Sequence, residues 1–187
     1  MTDRFTVEPA PLAGLIVLKR RRLEDPRGFL TRLFCAEDLE GCGWSGPIAQ
    51  LNETGTVHKG TVRGLHFQRP PHAEIKLVTC TRGRVLDVAV DIRADSPTFL
   101  KSFSVELSED NAVSLLIPKG FAHGFQALSD DVRMIYAHSE PYAAGAEGGL
   151  HCCDPLLAID WPLPVEHLSP RDAAHPYLQS DYRGVAA

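Results

Sequence analysis

A histidine, an arginine and a lysine lie close together in one short region of the sequence. Residues 63–68 read RGLHFQ and residues 75–78 read IKLV, which puts Arg63, His66 and Lys76 on adjoining segments of extended character. An imidazole has an ordinary pKa of about 6.5 and can accept a proton near neutral pH. Together these groups suit proton removal from a carbon beside a carbonyl group, with the lysine holding the enolate and the arginine a phosphate. The alternative is a strand end with surface charges and a packed histidine.

The composition predicts one domain, over residues 1–187, with a substantial core. Of the 187 residues, 44% are hydrophobic. The 19 lysines and arginines are outnumbered by 24 aspartates and glutamates, which gives a formal net charge of -5. We therefore expect no nucleic-acid partner, since such proteins neutralise phosphates with excess positive charge. Any anionic ligand must be bound by locally concentrated positive charge.

The sequence predicts a cytoplasmic protein without a membrane partner. The first residues, MTDRF, lack the basic-then-apolar pattern of a signal peptide. No apolar run approaches the roughly 18 residues that a membrane-spanning helix needs. The five cysteines are irregularly spaced and include no CxxC pair. They are expected to be reduced thiols, some of them buried, rather than disulfides or zinc ligands.

Hydrophobic residues alternate with a period of two far more often than with the helical period. Helical character is confined to short pieces at residues 36–39 and 169–172, the second with serine at the cap and proline at the first position. Many short strands separated by glycine and proline favour an all-β fold, a β-sandwich or jelly roll. Residues 181–187 are predicted to form a loose tail. The predicted strands cover residues 76–80, 85–91, 103–107, 112–117 and 132–138.

Residues 118–123, PKGFAH, match the PxGxxH core of the second cupin motif and indicate a cupin-like jelly roll. A metal-binding cupin also needs two closely spaced histidines and a carboxylate from its first motif. The matching segment here reads HFQ at residues 66–68, so the second histidine is missing. His72 and Glu74 follow, but two intervening prolines break the alternation that would point both histidines inward. We therefore predict no metal and no cofactor, and acid–base chemistry in a histidine-lined cavity.

Eight short motifs occur in order along the chain. They are DPRGF (25–29), QLN (50–52), RGLH (63–66), KLV (76–78), DVAVDIR (87–93), SPTF (96–99), residues 117–125 and IDWP (159–162). Together they resemble the dTDP-4-dehydrorhamnose 3,5-epimerase family, over about residues 14–178. The resemblance implies a cofactor-free isomerase of deoxysugar biosynthesis that inverts C3, C5 or both in a nucleoside-diphosphate 4-keto-6-deoxy sugar. It also implies a homodimer in which the N-terminal segment crosses to the partner's sheet, and the apolar residues 12–18 are compatible with edge-strand addition.

The resemblance gives four residues catalytic roles. His66 corresponds to the general base that removes the proton, and Asp172 to the carboxylate that pairs with it. Tyr136 lies where the family has the general acid that returns a proton from the opposite face. Lys76 matches the residue that neutralises the enolate oxygen. Without the resemblance, Tyr136 would be an ordinary strand tyrosine and Asp172 an ordinary acid in the first turn of a helix.

The resemblance also predicts the residues that bind substrate. Three of their arginines would bind phosphate and offset the negative net charge locally. The predicted binding residues are Arg27, Arg32, Gln50, Asn52, Arg63, Lys76, His123, Tyr142, Glu147 and Arg171. His123 is expected to line the pocket and Tyr142 to border the sugar. The remaining loop histidines, expected at the surface without a role, are His58, His151, His167 and His175.

Two departures from the family pattern concern specificity. The family commonly has GFxxE after the arginine of DxRG, whereas residues 28–32 read GFLTR, which puts Arg32 where a carboxylate is expected near the nucleotide. Because of this reversed charge, the identity of the nucleotide base that the protein binds stays open. The common Tyr-Tyr pair reads Pro141-Tyr142 here and follows AHSE at residues 137–140. A sugar pocket altered there could admit another ring conformer or deoxysugar.

Three hypotheses from different classes remain. The leading one is the nucleotide-sugar epimerase, including a mono-epimerase that acts on a CDP-sugar or another nucleotide sugar. The second is a metal-dependent cupin, such as a dioxygenase or a sugar isomerase. The third is a non-catalytic cupin that binds a nucleotide sugar. The joint presence of a base, an acid and a lysine favours the epimerase, because a binding protein needs no proton relay.

Overall fold

Residues 4–186, the part of the chain that this computed structural model describes, form two facing antiparallel sheets and a short hairpin. In chain order the elements are β1 (Phe5–Pro9), β2 (Ile16–Arg20), β3 (Arg22–Asp25), β4 (Gly28–Thr31), α1 (Ala36–Glu40), β5 (Gln50–Thr56), β6 (Val62–Gln68), β7 (Lys76–Arg82), β8 (Arg84–Asp91), β9 (Ser102–Ser108), β10 (Val113–Ile117), β11 (Phe121–Ala127), β12 (Val132–His138), a 3-10 turn (Ala144–Ala146), β13 (Glu147–Gly149) and α2 (Pro170–Ala173). The larger sheet has the order β1-β2-β10-β7-β12-β5 and the smaller β13-β6-β11-β8-β9, while β3 pairs with β4. This sandwich confirms the predicted all-β jelly-roll fold with a few short helices.

The main core lies between the two sheets. Leu115 and Met134 from the larger sheet pack there with Phe125 from the smaller one, and all three are fully buried. Because strand residues alternate between faces, the larger sheet has a second apolar face, which α1 and the following loop cover with Leu39 and Trp44. Burial of each such side chain stabilises the fold by about 1.5–3 kcal/mol. The larger sheet is thus packed on both faces, which fixes the strands that carry inward-pointing polar groups.

Turn and cap residues act as the sequence pattern predicts. The hairpin between β7 and β8 turns at Gly83, whose φ of 72° lies in the left-handed region that glycine tolerates. The helical piece at residues 169–172 is α2. The Ser169 hydroxyl accepts a hydrogen bond from the backbone N–H of Asp172 at 3.0 Å, and Pro170 occupies the first turn. The cap fixes the start of the helix that carries Asp172.

The apolar stretch at residues 12–18 is occupied within its own chain. Leu12, Leu15 and Leu18 are buried in the core. Strand β2, which includes the end of the stretch, already lies between β1 and β10. Within one protomer, the end of this stretch is therefore an internal strand rather than a free edge. The edge strands of the larger sheet are β1 and β5.

The C-terminal segment is held against the smaller sheet. Val185 forms a β-bridge with Arg93, and its N–H donates to the Ile92 carbonyl at 2.8 Å. The Tyr182 ring stacks on Phe99 at 6.1 Å between centroids. The prediction of a loose tail is therefore wrong for this part of residues 181–187, although residue 187 itself lies outside the described part.

Neither disulfides nor membrane helices contribute to the described fold. All five cysteines are free thiols, and Cys80 and Cys152 are buried, as expected. Burial raises the pKa of the Cys80 thiol to about 11, which keeps it protonated at neutral pH. Over residues 4–186, no helix has the length and apolar character needed to cross a membrane.

Candidate active site

A cavity of about 870 Å³ is lined by strands of both sheets. On the larger sheet, Tyr136 of β12 lies opposite Asn52 of β5, and the next inward-facing residue, His138, lies opposite Gln50. On the smaller sheet, His66 of β6 lies directly opposite His123 of β11. The two walls therefore carry different polar groups: His66 and His123 on the smaller sheet, and Tyr136 and His138 with two amides on the larger one. Of the residues predicted to act in catalysis or binding, those lining the cavity are Gln50, Asn52, Arg63, His66, Lys76, His123, Tyr136, Tyr142, Glu147, Arg171 and Asp172.

His66 is paired with Asp172, which α2 brings to the cavity. His66 Nε2 lies 2.7 Å from Asp172 Oδ1, while Asp172 Oδ2 accepts a hydrogen bond from the backbone N–H of Gly64 at 3.2 Å. Burial opposes ionisation of Asp172, but the hydrogen bonds from His66 and Gly64 outweigh it and lower the carboxyl pKa to about 2. An ionised carboxylate only accepts hydrogen bonds, so Nε2 carries the proton. Nδ1 is then the ring nitrogen that can take a proton from a substrate.

Gly64 lets β6 approach β11 closely enough for the two histidines to lie side by side. Its φ is 112°, and a Cβ there would lie 2.6 Å from the His123 carbonyl oxygen and 2.7 Å from the Cα of Gly124. Both contacts involve backbone atoms, which cannot rotate away. A larger residue at Gly64 would therefore push β6 from β11 and displace His66.

His123 forms a second histidine–carboxylate pair in the same wall. Its Nε2 lies 2.9 Å from Asp87 Oδ2 and 3.0 Å from Oδ1. Only 5% of the His123 side chain and none of the Asp87 side chain is exposed. The DVAVDIR motif contains Asp87, but the sequence assigned it no role, because only the pairing of β8 with β11 shows that it meets a histidine.

Tyr136 and Lys76 supply a proton donor and a cation from the opposite sheet. The Tyr136 ring lies 6.0 Å from that of His123. Burial, with a contribution from the Asp87 carboxylate, raises the pKa of Tyr136, so its hydroxyl stays protonated at neutral pH. Lys76 Nζ donates to the His66 carbonyl at 3.2 Å and pairs with Glu74 Oε1 at 3.0 Å. The larger sheet thus presents a neutral acid, the Tyr136 hydroxyl, and a cation, the Lys76 ammonium, while the facing sheet carries His66.

A chain of polar contacts crosses the cavity rim and joins four of the predicted binding residues. Arg171 Nη1 lies 3.0 Å from Glu147 Oε1, and the Tyr142 hydroxyl donates to Glu147 Oε2 at 3.1 Å. The backbone N–H of Tyr142 donates to Gln50 Oε1 at 2.9 Å. Arg171 Nη2 also lies 3.1 Å from His66 Nε2. Since that nitrogen carries a proton, this contact is not a hydrogen bond from Arg171, whose guanidinium is held instead by Glu147 and lies 3.6 Å from Asp172 Oδ1.

Two predicted binding residues lie away from the cavity of their own chain. Arg27, at the tip of the β3–β4 hairpin, is exposed and pairs with Asp25 at 2.6 Å. Arg32, which follows β4, pairs with the buried Asp38 at 3.0 Å. Neither arginine lines the cavity. Within one protomer, the structure therefore does not bring these two arginines together with the other eleven predicted site residues.

Several residues near the site were missed by the sequence reasoning. His175 is not a free surface residue, because its ring packs against that of His66 at 5.4 Å and its Nε2 lies 3.7 Å from Asp172 Oδ1. His167 lines the cavity, and so does Gln68, which donates to Glu74 Oε2 at 2.9 Å. His175, with 13% of its side chain exposed, is therefore not the surface residue that was expected, whereas His167 is an exposed loop residue, as expected, that also lines the cavity. No periodic pattern marks loop residues that reach a site through tertiary packing.

Two groups of potential metal ligands occur among the described residues. In the first, which belongs to the cavity, ligand atoms of His66, Asp172 and His175 lie within 4.8 Å of one another. The short His66–Asp172 hydrogen bond already uses one atom of each of those residues. The second group, on the loop after β13, consists of His151, Cys152 and Cys153.

Comparison with known proteins agrees with this geometry. A model of the dTDP-4-dehydrorhamnose 3,5-epimerase family matches residues 9–180. A dTDP-4-dehydrorhamnose 3,5-epimerase of Sinorhizobium fredii is 39% identical over 177 residues, which cover 94% of this chain and 91% of that protein. The structure of dTDP-6-deoxy-D-glucose-3,5-epimerase from Legionella pneumophila, in complex with dTDP-4-keto-L-rhamnose, is 36% identical with a TM-score of 0.90 and covers 98% of this chain and 99% of that one. A 3'-monoepimerase from Streptomyces bikiniensis, in complex with dTDP-quinovose, is 32% identical with a TM-score of 0.84 over 90% of this chain and 86% of that one. The motifs, the two-sheet fold and these matches agree. The chain belongs to the dTDP-4-dehydrorhamnose 3,5-epimerase family.

Proposed function

We propose that the protein is an isomerase that inverts C3, C5 or both in a nucleoside-diphosphate 4-keto-6-deoxy sugar during deoxysugar biosynthesis. The observation that carries the proposal is the placement of His66, paired with Asp172, on one wall of the cavity and of Tyr136 on the other. Inversion requires that the proton leave one face of the carbon and return to the opposite face. A base and an acid from facing sheets meet that requirement without a metal or a cofactor.

In the proposed reaction, His66 Nδ1 takes the proton from the carbon beside the C4 ketone. The Asp172 carboxylate stabilises the imidazolium that forms, and it fixes the tautomer beforehand. Lys76 stabilises the negative charge that develops on the ketone oxygen, an effect that grows where water is excluded. Tyr136, protonated because of its burial, then delivers a proton to the opposite face of the enolate.

The diphosphate is proposed to lie between Arg63 and Arg171 at the cavity mouth. Both side chains are exposed there. Arg63 is aimed by hydrogen bonds to the Thr56 hydroxyl at 3.0 Å and the Gly55 carbonyl at 2.9 Å, and Arg171 by Glu147. Guanidinium groups bind phosphate through paired N–H donors, so this pair can offset the chain's net negative charge locally.

We also propose a homodimer, and a cytoplasmic location that the free thiols support. The β3–β4 hairpin exposes Phe29 and Leu30, by 58% and 63%, and the edge strand β5 exposes Leu51 by 63%. Since Arg27 and Arg32 do not line their own cavity, we propose that they contact the nucleotide bound in the partner protomer. Light scattering should give twice the monomer mass, and Arg27→Ala should weaken nucleotide binding. A monomer with unchanged nucleotide affinity would argue against the dimer.

The decisive experiment follows deuterium entry into the substrate. The protein is incubated in deuterated water with dTDP-4-keto-6-deoxyglucose and, separately, with its CDP counterpart, and C3 and C5 are monitored by proton NMR. Exchange at either carbon would support the epimerase and show both the position and the preferred nucleotide. If neither compound exchanges while dTDP still binds, the proposed function fails in favour of a binding protein. Loss of activity on chelation would instead indicate the metal-dependent alternative.

A further inference from the structure

We infer that His138 is a specificity-determining residue that hydrogen-bonds a hydroxyl group of the substrate's sugar ring, an inference that rests on the proposed function. The sequence indicated an altered sugar pocket near residues 137–140 but predicted no contact for His138 itself, and the proposed mechanism does not use this residue. It nevertheless lines the cavity beside the groups that act on the sugar.

The strand register places His138 next to the reacting part of the substrate. It lies directly opposite Lys76 of β7 on one side and Gln50 of β5 on the other. It follows Tyr136 by two residues on the same face of β12, and the two rings stack with centroids 6.3 Å apart and an interplanar angle of 20°. A sugar whose ketone reaches Lys76 and whose neighbouring carbon faces Tyr136 must therefore pass within reach of the His138 ring.

The ring nitrogens of His138 are not used by other described residues. No side chain or backbone group in residues 4–186 forms a hydrogen bond or ion pair with them, whereas His66 and His123 each have a carboxylate partner. The side chain is only half-buried, so its polar edge meets the cavity. This histidine is thus built into the site without a partner of its own.

The charge state of His138 selects for a hydroxyl rather than a phosphate. Burial and, next, the neighbouring Lys76 ammonium lower the pKa of the imidazole to about 4, so the ring is neutral near pH 7. A neutral imidazole offers one N–H donor and one acceptor nitrogen. A sugar hydroxyl can also donate one hydrogen bond and accept another, so it can pair with either ring nitrogen. A phosphate, in contrast, needs donors or positive charge. The neighbouring cations Arg63 and Arg171 already serve that need at the mouth.

Two variants separate the hydrogen bond from the shape of the ring. His138→Phe keeps the stacking on Tyr136 but removes both polar functions, while His138→Gln keeps a donor and an acceptor. Calorimetry would measure the affinities of each variant and the wild type for dTDP-glucose and for dTDP, which lacks the sugar. We expect His138→Phe to weaken dTDP-glucose binding about tenfold and to leave dTDP binding unchanged, and His138→Gln to stay within about threefold of the wild type.

Equal losses for dTDP-glucose and dTDP in His138→Phe would overturn the inference, because they would indicate a general disturbance of the cavity. Wild-type affinities for both compounds in His138→Phe would overturn it too. Since this comparison needs no turnover, it decides the role of His138 even if the wild type fails to exchange deuterium, an outcome that would defeat the proposed function alone. Where the wild type is active, the same substitution should raise KM for the keto sugar about tenfold more than it lowers kcat.

Discussion

Two histidine–aspartate pairs lie side by side in one wall of the cavity, and they differ mainly in access. In the first, His66 Nε2 lies 2.7 Å from Asp172 Oδ1, and in the second, His123 Nε2 lies 2.9 Å from Asp87 Oδ2. The His66 side chain is 27% exposed and that of His123 only 5%. The short distance is common to both pairs, so a pairing distance alone does not identify a base. Only His66 combines a carboxylate partner with an open approach.

The carboxylates of the two pairs also reach their histidines differently. Asp87 projects from β8, the strand next to β11, so its pair is part of the sheet itself. Asp172 comes from α2, 106 residues away in sequence, and its second oxygen is held by the Gly64 backbone. The first arrangement builds the wall on which the Tyr136 ring packs. The second positions a ring that must accept and release a proton.

The largest effect should come from removing the accessible histidine. His66→Ala should abolish deuterium exchange at both C3 and C5, with a loss of at least about 1000-fold, because His123, the other member of the two pairs, is only 5% exposed. NMR exchange rates are the measurement, and an unchanged melting temperature is the control. If exchange survived in His66→Ala and vanished in a folded His123→Asn variant, the roles of the two pairs would have to be reversed.

The second prediction distinguishes the roles of the two carboxylates, Asp172 and Asp87. Asp172→Asn should slow exchange about 100-fold, since the amide no longer stabilises the imidazolium. Asp87→Asn should act mainly on the fold, lowering the free energy of unfolding by about 2 kcal/mol because it perturbs a fully buried hydrogen bond. Chemical denaturation and exchange rates, measured on both variants, provide the comparison. Equal catalytic losses at equal stability would show that both pairs serve the chemistry.

A smaller and more selective effect is expected at the tyrosine beside the second pair. Tyr136→Phe should suppress net inversion while leaving part of the proton abstraction, because the base lies on the opposite wall. The test compares deuterium entry with the yield of inverted sugar in the same sample. The division of roles fails if the two activities fall by the same factor.

The smallest effect concerns acid stability. The pKa of Asp172 is lowered from 3.8 to about 2, so its stabilisation is fully present above the ordinary value and is lost as the pH falls towards 2. The shift corresponds to ~2 kcal/mol. Between pH 4 and pH 2, unfolding of Asp172→Asn should therefore depend less on pH than that of the wild type, as urea titrations would measure. A wild-type pH dependence in the variant would mean that other carboxylates, such as Asp91, dominate.

Sequence reasoning succeeded where local pattern or motif carries the information. Alternating residues predicted strands β7 to β10 and β12, and a serine followed by proline predicted the start of α2. The resemblance to the family led to His66, Lys76 and Tyr136, which the folded chain places around one cavity. Their catalytic roles stay predictions until the variants are measured.

The parts of the site that could not be predicted depend on the register between strands that are distant in sequence. Asp87 meets His123 only because β8 pairs with β11, and His138 meets Lys76 only because β12 pairs with β7. Neither relation is visible in a single segment, since a shift of one residue would turn each side chain to the other face. Likewise, the sequence could not show that Arg27 lies outside its own cavity.

The position of α2 has a consequence for how the protein becomes functional during synthesis. Strand β6 leaves the ribosome long before Asp172, which is 106 residues further along the chain than His66. A nascent chain can pair β6 with β11 while the imidazole still lacks its carboxylate. The chain is synthesised from its N-terminus, and closing so long a loop adds an entropic cost. Proton-transfer competence is therefore expected to arise late, when the capped helix docks on an already assembled sandwich.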